Sequence, residues 1–106
     1  MTILLALAFA GSNVPVPVTP PSTWVSYPPS ALRNGEQGVV GYEVNVDEAG
    51  KPTNCRVIAS SGFSSLDAET CRQILRRGKF HPATGAGGAA EPGTYASSLS
   101  WSFQDQ

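Results

Sequence analysis

The sequence predicts an α+β domain in which a short helix, a β-hairpin, a longer helix and a final strand follow one another. Residues 38–46 and 95–103 alternate apolar residues with polar or small ones, a pattern typical of strands with one buried face. Residues 64–77 instead repeat their apolar positions at helical spacing. Because only one face of each strand is apolar, we expect the helices to cover that face of the sheet.

The β-hairpin is predicted over residues 38–60. Its first strand, residues 38–46, places its valines and tyrosine at even positions. Residues 47–50 supply the turn, in which Gly50 can take a positive φ. The second strand is expected over residues 53–60.

Two helices are predicted, one before the hairpin and one after it. Residues 27–35 form the short helix, since proline is tolerated in a first turn and Asn34-Gly35 ends it. The longer helix begins with Ser64 or Ser65 as its cap and runs to about Arg77. Its acidic residues come early and its arginines late, as the helix dipole favours. Its predicted apolar stripe is Leu66, Cys71, Ile74 and Leu75.

Beyond the longer helix, a loop and one strand complete the predicted domain. Residues 84–93 are rich in glycine and alanine and are expected to form the loop. The final strand has Ala96, Ser98, Ser100 and Ser102 on one face. Its predicted core face is Tyr95, Ser97, Leu99, Trp101 and Phe103.

The N-terminal residues are predicted to lie outside the globular domain. Residues 1–10 form an apolar run too short for a transmembrane helix, which needs about 20 residues. Because Ala8-Phe9-Ala10 fits a signal cleavage site, we expect a signal peptide, with a remnant apolar anchor or a buried strand as alternatives. Residues 11–23 are expected to form a proline-rich, extended tether, and residues 24–106 the domain.

Composition and charge narrow the choice of partners. The chain has 106 residues, of which 41% are hydrophobic and 14% charged, with a formal net charge of -1. This balance gives no electrostatic reason to expect nucleic acid or an anionic membrane as a partner. The sequence therefore favours one weakly charged domain with a packed core.

Several motifs, taken in their order, resemble the C-terminal domain of the TonB family, and in particular its subfamily with paired cysteines. The similarity spans about residues 24–103 and implies a three-stranded antiparallel sheet, two helices on one side of it and the last strand at an edge. The motifs are Tyr27-Pro28, Ala31, Gly38-Val39-Val40, the turn at 46–52, Cys55, Ser60-Ser61-Gly62, Leu66-Asp67, Thr70-Cys71, Lys79-Phe80, Pro82-Ala83, and Trp101 with Phe103.

The resemblance also implies a function in the periplasm or cell envelope of a Gram-negative bacterium. Domains of this family bind the TonB box, a short extended segment of an outer-membrane receptor, in energy-dependent nutrient uptake. The physical mechanism is strand addition, because an edge strand has unpaired N–H and C=O groups that can bind a guest strand. The expected peptide-binding residues are Trp24, Val25, Ser26, Tyr27, Ser98, Leu99, Ser100, Trp101, Ser102 and Phe103.

Cys55 and Cys71 are the two cysteines, and the patterns place both on inward faces, one on a strand and one on a helix. We expect a structural disulfide in an oxidising compartment, with reduced buried thiols or a redox dithiol as alternatives. A small thiol enzyme that uses these cysteines and His81 is a competing hypothesis. Neither a catalytic group nor a metal site nor a cofactor is predicted.

Two further questions stay open at the level of sequence. Fully extended, residues 11–29 reach at most about 65 Å, which is short for crossing the periplasm. The chain could therefore bind receptors without transmitting force, or be an envelope scaffold. The resemblance also allows a strand-swapped homodimer.

Overall fold

A computed structural model describes residues 13–103 of the chain. The signal peptide or anchor expected at residues 1–10 lies outside the described residues. The strands are β1 (Val16–Pro17), β2 (Gly38–Val46), β3 (Pro52–Ala59), β4 (Phe80–His81), β5 (Ala83–Thr84), β6 (Ala90–Glu91) and β7 (Gly93–Trp101), the α-helices are α1 (Pro29–Arg33) and α2 (Ser64–Arg77), and the 3-10 helices are Pro21–Trp24 and Ala86–Gly88.

The main sheet has three antiparallel strands in the order β3-β2-β7. The pairing of β2 with β7 runs without interruption from Gly38 opposite Trp101 to Val46 opposite Gly93. The pairing of β2 with β3 is interrupted by two register shifts. The predicted α+β class, the three-stranded sheet and the edge position of the final strand are thus confirmed.

The core lies between the sheet and α2. The even positions of β2 from Val40 to Val46 are all buried, because successive side chains of a strand point to opposite faces. The 3-10 helix Pro21–Trp24 and α1 add one buried residue each. The core residues are Trp24, Ala31, Val40, Tyr42, Val44, Val46, Leu66, Ile74, Phe80, Leu99 and Trp101.

The buried face of α2 differs from the predicted stripe. Leu66 and Ile74 are buried as expected, but Leu75 is 37% exposed. Nine residues after Leu66, position 75 lies on the opposite side of the helix, since each residue turns about 100°. Thr70 and Gln73 occupy the remaining buried positions.

The start of α2 also differs from the prediction. Neither Ser64 nor Ser65 caps the helix, since both lie within it and Phe63 is the residue that precedes its first turn. Asp67 instead reaches back, where its carboxylate accepts hydrogen bonds from the Ser60 hydroxyl and from the Ser61 N–H and hydroxyl. The carboxylate therefore ties the β3–α2 connection to the helix.

The hairpin turn forms as predicted. Gly50 has φ +82, and a β-carbon there would collide with the carbonyl oxygen of Phe80. Asp47 accepts hydrogen bonds from the N–H groups of Ala49 and Lys51 at 2.9 and 2.8 Å. Glycine at position 50 therefore lets the turn and the strand β4 approach closely.

The proline-rich segment lies against the body of the domain. Pro15 is fully buried, and β1 pairs antiparallel with β4. The segment is extended there, as a proline-rich sequence favours, and it is packed rather than separate. The predicted boundary at residue 24 stays a prediction.

The glycine-rich region expected to be a loop contains a small hairpin. Strands β5 and β6 pair antiparallel, and the 3-10 helix Ala86–Gly88 joins them. Gly87 and Gly88 both have positive φ, +84 and +82, which only glycine adopts readily. The glycines therefore make the turn of a hairpin that alternation of apolar residues could not reveal.

Candidate peptide-binding groove

The outer edge of β7 is the structural feature on which the candidate site depends. Within residues 13–103, β7 pairs with β2 alone, so its other edge has no strand partner in the described chain. Alternate N–H and C=O groups of an edge strand point away from the sheet. The segment 21–27 lies beside this edge and leaves a groove between itself and β7.

This groove, called the β7 groove below, has a volume of about 280 Å³. A second depression of about 570 Å³ continues it along the same edge. The β7 groove is lined by Ser22, Val25, Ser26, Tyr27, Leu99, Ser100, Trp101 and Ser102. The depression is lined by Pro21, Ser22, Thr23, Tyr95, Ser97, Ser98, Leu99 and Ser100.

Trp101 forms the floor of the β7 groove and is only 4% exposed. Its indole N–H donates a hydrogen bond to the Thr70 hydroxyl at 2.8 Å. That hydroxyl in turn donates to the carbonyl of Leu66 at 2.7 Å within α2. The helix thus fixes the orientation of the indole, and a buried tryptophan N–H has the partner it requires.

Tyr27 forms the wall of the groove opposite β7. Its ring packs edge-on against Trp101 with 5.2 Å between ring centroids, and it lies 5.4 Å from the ring of Phe103. Its hydroxyl donates a hydrogen bond to the carbonyl of Glu36. Burial, and then the negative charge of Glu36, raise the pKa of Tyr27 above 10.0. The hydroxyl therefore stays protonated at neutral pH and continues to donate.

Ser26 is fastened to the body of the domain by the side chain of Gln73. The Ser26 N–H donates to Gln73 Oε1 at 2.7 Å, and Gln73 Nε2 donates to the Ser26 carbonyl at 2.9 Å. The amide thus pairs with the backbone of Ser26 as a neighbouring strand would. Since Gln73 is itself buried, the wall of the groove is held at a fixed distance from α2.

Trp24 anchors the start of the same segment and does not line the groove. Its ring packs edge-on against Phe80 at 5.2 Å, and its indole N–H donates to the Thr19 hydroxyl at 2.9 Å. The Thr23 hydroxyl donates to the carbonyl of Pro20 at 2.6 Å. These contacts place the 3-10 helix Pro21–Trp24 beside β7.

The lining of the groove and of the depression has no charged side chain among the described residues. It combines aromatic and aliphatic surface with serine hydroxyls, which can both donate and accept. Such a surface can bind an uncharged extended segment through backbone hydrogen bonds and small apolar contacts.

Most of the residues predicted for the peptide site come together here. Two segments about 70 residues apart in sequence, around Ser26 and Ser100, face each other across the β7 groove. Ser98 lines the adjoining depression, whereas Trp24 is buried and Phe103 packs on Tyr27. Their role in peptide binding stays a prediction.

Gln73 was missed by sequence reasoning, and so were Pro21, Ser22 and Thr23. A signal for Gln73 was present, because it lies seven residues after Leu66 and so on the buried side of the helix. A polar residue in that position needs a partner, and the sequence does not say which one.

The predicted disulfide is confirmed. Cys55 of β3 and Cys71 of α2 are joined, with their Cα atoms 5.4 Å apart. His81 lies exposed on β4. Between residues 13 and 103, no three His, Cys, Asp or Glu side chains are grouped as metal ligands. The thiols that the competing enzyme hypothesis requires are therefore committed to a covalent bond.

Residues 24–103 match the family described as Gram-negative bacterial TonB protein C-terminal. Since the match covers most of the chain, the protein belongs to this family. It is accordingly a TonB-like periplasmic domain of TonB-dependent transport, and the family is one of protein-interaction domains rather than enzymes. No curated protein matches the chain in sequence.

The described helices are short. The longest is α2, with 14 residues, and none between residues 13 and 103 combines the length and apolarity needed to traverse a bilayer.

Proposed function

We propose that the domain binds the TonB box of an outer-membrane receptor by strand addition at the outer edge of β7. The observation that supports this most directly is the unpaired edge of β7 beside an uncharged groove. Backbone hydrogen bonds would supply affinity, and the aromatic floor and wall would select side chains.

The other edges of the domain are less suited to a guest strand. Strand β3 pairs with β2 through two register shifts, and such irregular strands present an uneven row of backbone groups. On β1, the Val18 N–H donates inward to the carbonyl of Lys79 at 2.9 Å. The backbone nitrogens of residues 15 and 17 therefore point away from β4, and both residues are prolines, which have no N–H group.

Strand addition can be tested with methylated peptides. In a bound strand, alternate N–H groups face the partner strand and the others face away. We expect a TonB-box peptide that is N-methylated at every second residue to bind in one methylation phase and not in the other. Amide signals of residues 98–103 in the isotope-labelled domain would report binding, with a scrambled peptide as control.

Two results would contradict the proposal. Equal binding of both methylation phases would show that backbone pairing is not used. Shifts confined to residues outside 98–103 would place the guest elsewhere.

A second copy of the chain competes for the same edge. A homodimer that exchanges strands would cover β7, so peptide and dimer formation should exclude each other. Sedimentation with and without the TonB-box peptide would test this, because the peptide should lower any dimer fraction.

A further inference from the structure

A second groove lies at the other end of the main sheet, between the β2–β3 turn and the end of α2. It has a volume of about 470 Å³ and lies near the Val46 end of β2, whereas the β7 groove lies near the end where Gly38 pairs with Trp101. Its lining mixes aliphatic and aromatic surface with three cations. The lining residues are Val18, Ala49, Gly50, Lys51, Pro52, Leu75, Arg76, Gly78, Lys79 and Phe80.

The three cations of this second groove have no ion-pair partner among the described residues. The two ion pairs among residues 13–103 lie outside this groove and join Arg56 to Glu43 and Arg72 to Glu69. Lys51, Arg76 and Lys79 take part in neither. The groove therefore collects three cations that form no ion pair, in a chain whose net charge is -1. The charge of Arg76 also acts on Glu69, so the cations least compensated by acids are Lys51 and Lys79.

The fold itself explains only part of this charge. Arg76 is in the last turn of α2, where a cation compensates the negative end of the helix dipole. Lys51 belongs to the hairpin turn and Lys79 follows the helix, so neither is required there by the dipole. Of the nearby acids, Asp47 binds the turn N–H groups and Glu48 does not line the groove.

A row of apolar side chains leads away from the same groove. Val14, Val16 and Val18 are 49%, 50% and 48% exposed. Side chains two residues apart on an extended segment share a face, while Pro15 on the other face is buried against the domain. An extended guest has the same two-residue repeat and could lay alternate apolar side chains along this row.

We infer that this cationic groove and valine row dock an extended, acidic peptide segment of a protein partner, separately from the β7 groove. Carboxylates of the segment complement Lys51, Arg76 and Lys79, and its apolar residues contact Val18 and Leu75. Recognition relies on side chains, because Pro15 and Pro17 remove the outward N–H groups that strand addition needs. This docking site is independent of the proposed TonB-box binding.

The test uses the disulfide-bonded, isotope-labelled chain and the capped peptide Glu-Val-Glu-Val-Glu. We expect saturable amide shifts at residues 49–51 and 75–80 and none at 98–103. The matched peptide Gln-Val-Gln-Val-Gln should not bind. Removing two cations with Lys51→Gln and Lys79→Gln should weaken binding about tenfold, and added salt should weaken it further.

The matched control removes two positive charges elsewhere, with Arg33→Gln and Arg56→Gln. This variant should bind the acidic peptide as the parent does. If both double variants lost the same affinity for the acidic peptide, the effect would come from net charge alone, and the inference would be overturned. Amide shifts at residues 98–103 on adding the acidic peptide would also overturn it. So would shifts at 49–51 and 75–80 that anionic phosphatidylglycerol vesicles cause and the peptide does not.

Discussion

The two edges of the main sheet differ in regularity and in how they are held. Strand β3 is joined to α2 by the Cys55–Cys71 disulfide and pairs with β2 through two register shifts. Strand β7 has no covalent tie, yet its nine residues pair with β2 in unbroken register. Its regular outer edge remains unpaired in the described chain, which is what a guest strand requires. We therefore propose a division in which the disulfide stabilises one edge of the sheet and the other edge binds the guest strand.

Removing the disulfide should have the largest effect on stability. The cysteines are 16 residues apart, and closing a loop of that size stabilises the folded state by about 3 kcal/mol in the chain-entropy model. We expect a Cys55→Ser, Cys71→Ser variant to lose about that much free energy of unfolding in urea titrations.

The same variant should keep its affinity for a TonB-box peptide wherever it remains folded. Isothermal titration below the unfolding transition would measure this affinity. A large loss of binding would show that the two edges are coupled, and the division between stability and binding would be wrong.

Gln73→Leu should have the second largest effect, because it removes the amide that holds Ser26. The Ser26 N–H and C=O would lose their partners, at a cost of about 2 kcal/mol in stability. The wall of the β7 groove would then be free to shift, and peptide affinity should fall as well.

Ser26→Ala is the matched control for that variant. It removes only a long hydroxyl contact of 3.4 Å and leaves both backbone bonds to Gln73. Its stability should change by less than about 0.5 kcal/mol. Equal effects of both changes would mean that the serine hydroxyl, and not the backbone clamp, positions the wall.

Asp67→Asn should destabilise the domain by about 1 kcal/mol at neutral pH. Burial opposes ionisation of Asp67, but hydrogen bonds from Ser60 and Ser61 outweigh it and lower the pKa below 3.8. A carboxyl whose pKa is lower in the folded state stabilises it above the unfolded pKa, and that contribution is lost as pH falls through the folded value.

The pH dependence gives this prediction its control. The stability difference between parent and Asp67→Asn should be full at pH 7 and should shrink below pH 3.8. Urea titrations at pH 7 and below pH 3.8 would measure this difference in the free energy of unfolding. A difference that does not change with pH would show that the charge of the carboxylate is not what holds the β3–α2 connection.

The sequence predicted correctly the elements that depend on local patterns of residues. The spacing of apolar residues gives the bounds of β2. The late arginines and Gly78 give the end of α2 at Arg77, and the turn residues up to Gly50 give the hairpin turn. The family resemblance brought the two halves of the groove together. The clamp between Ser26 and Gln73 joins residues 47 apart, and no local pattern specifies such a pair.

The short strands escaped prediction for a related reason. Strands β1 and β4 have two residues each, too few for an alternating pattern to be visible. Leu75 was placed in the core because it is apolar, although its angular position on α2 faces solvent. Residue type shows which side chains are apolar, but position on the helix or strand decides which of them are buried.

The smallest expected effect concerns the ion pair on the β3 edge. Arg56 Nε lies 2.8 Å from Glu43 Oε1, and the arginine side chain is largely exposed. An exposed pair of this kind contributes about 0.5 kcal/mol, so Arg56→Gln should hardly change stability. The Arg56→Gln variant is useful because it separates two reasons why β3 would accept a guest strand poorly. One is the charge of the arginine, and the other is the irregular register of β3 with β2. If register is the reason, a TonB-box peptide should still shift residues 98–103 in this variant and leave residues 53–58 unchanged. New shifts at 53–58 would mean that the Arg56 side chain alone had prevented a guest strand from pairing with β3. The difference between the two edges would then depend on one side chain rather than on the pairing of the strands.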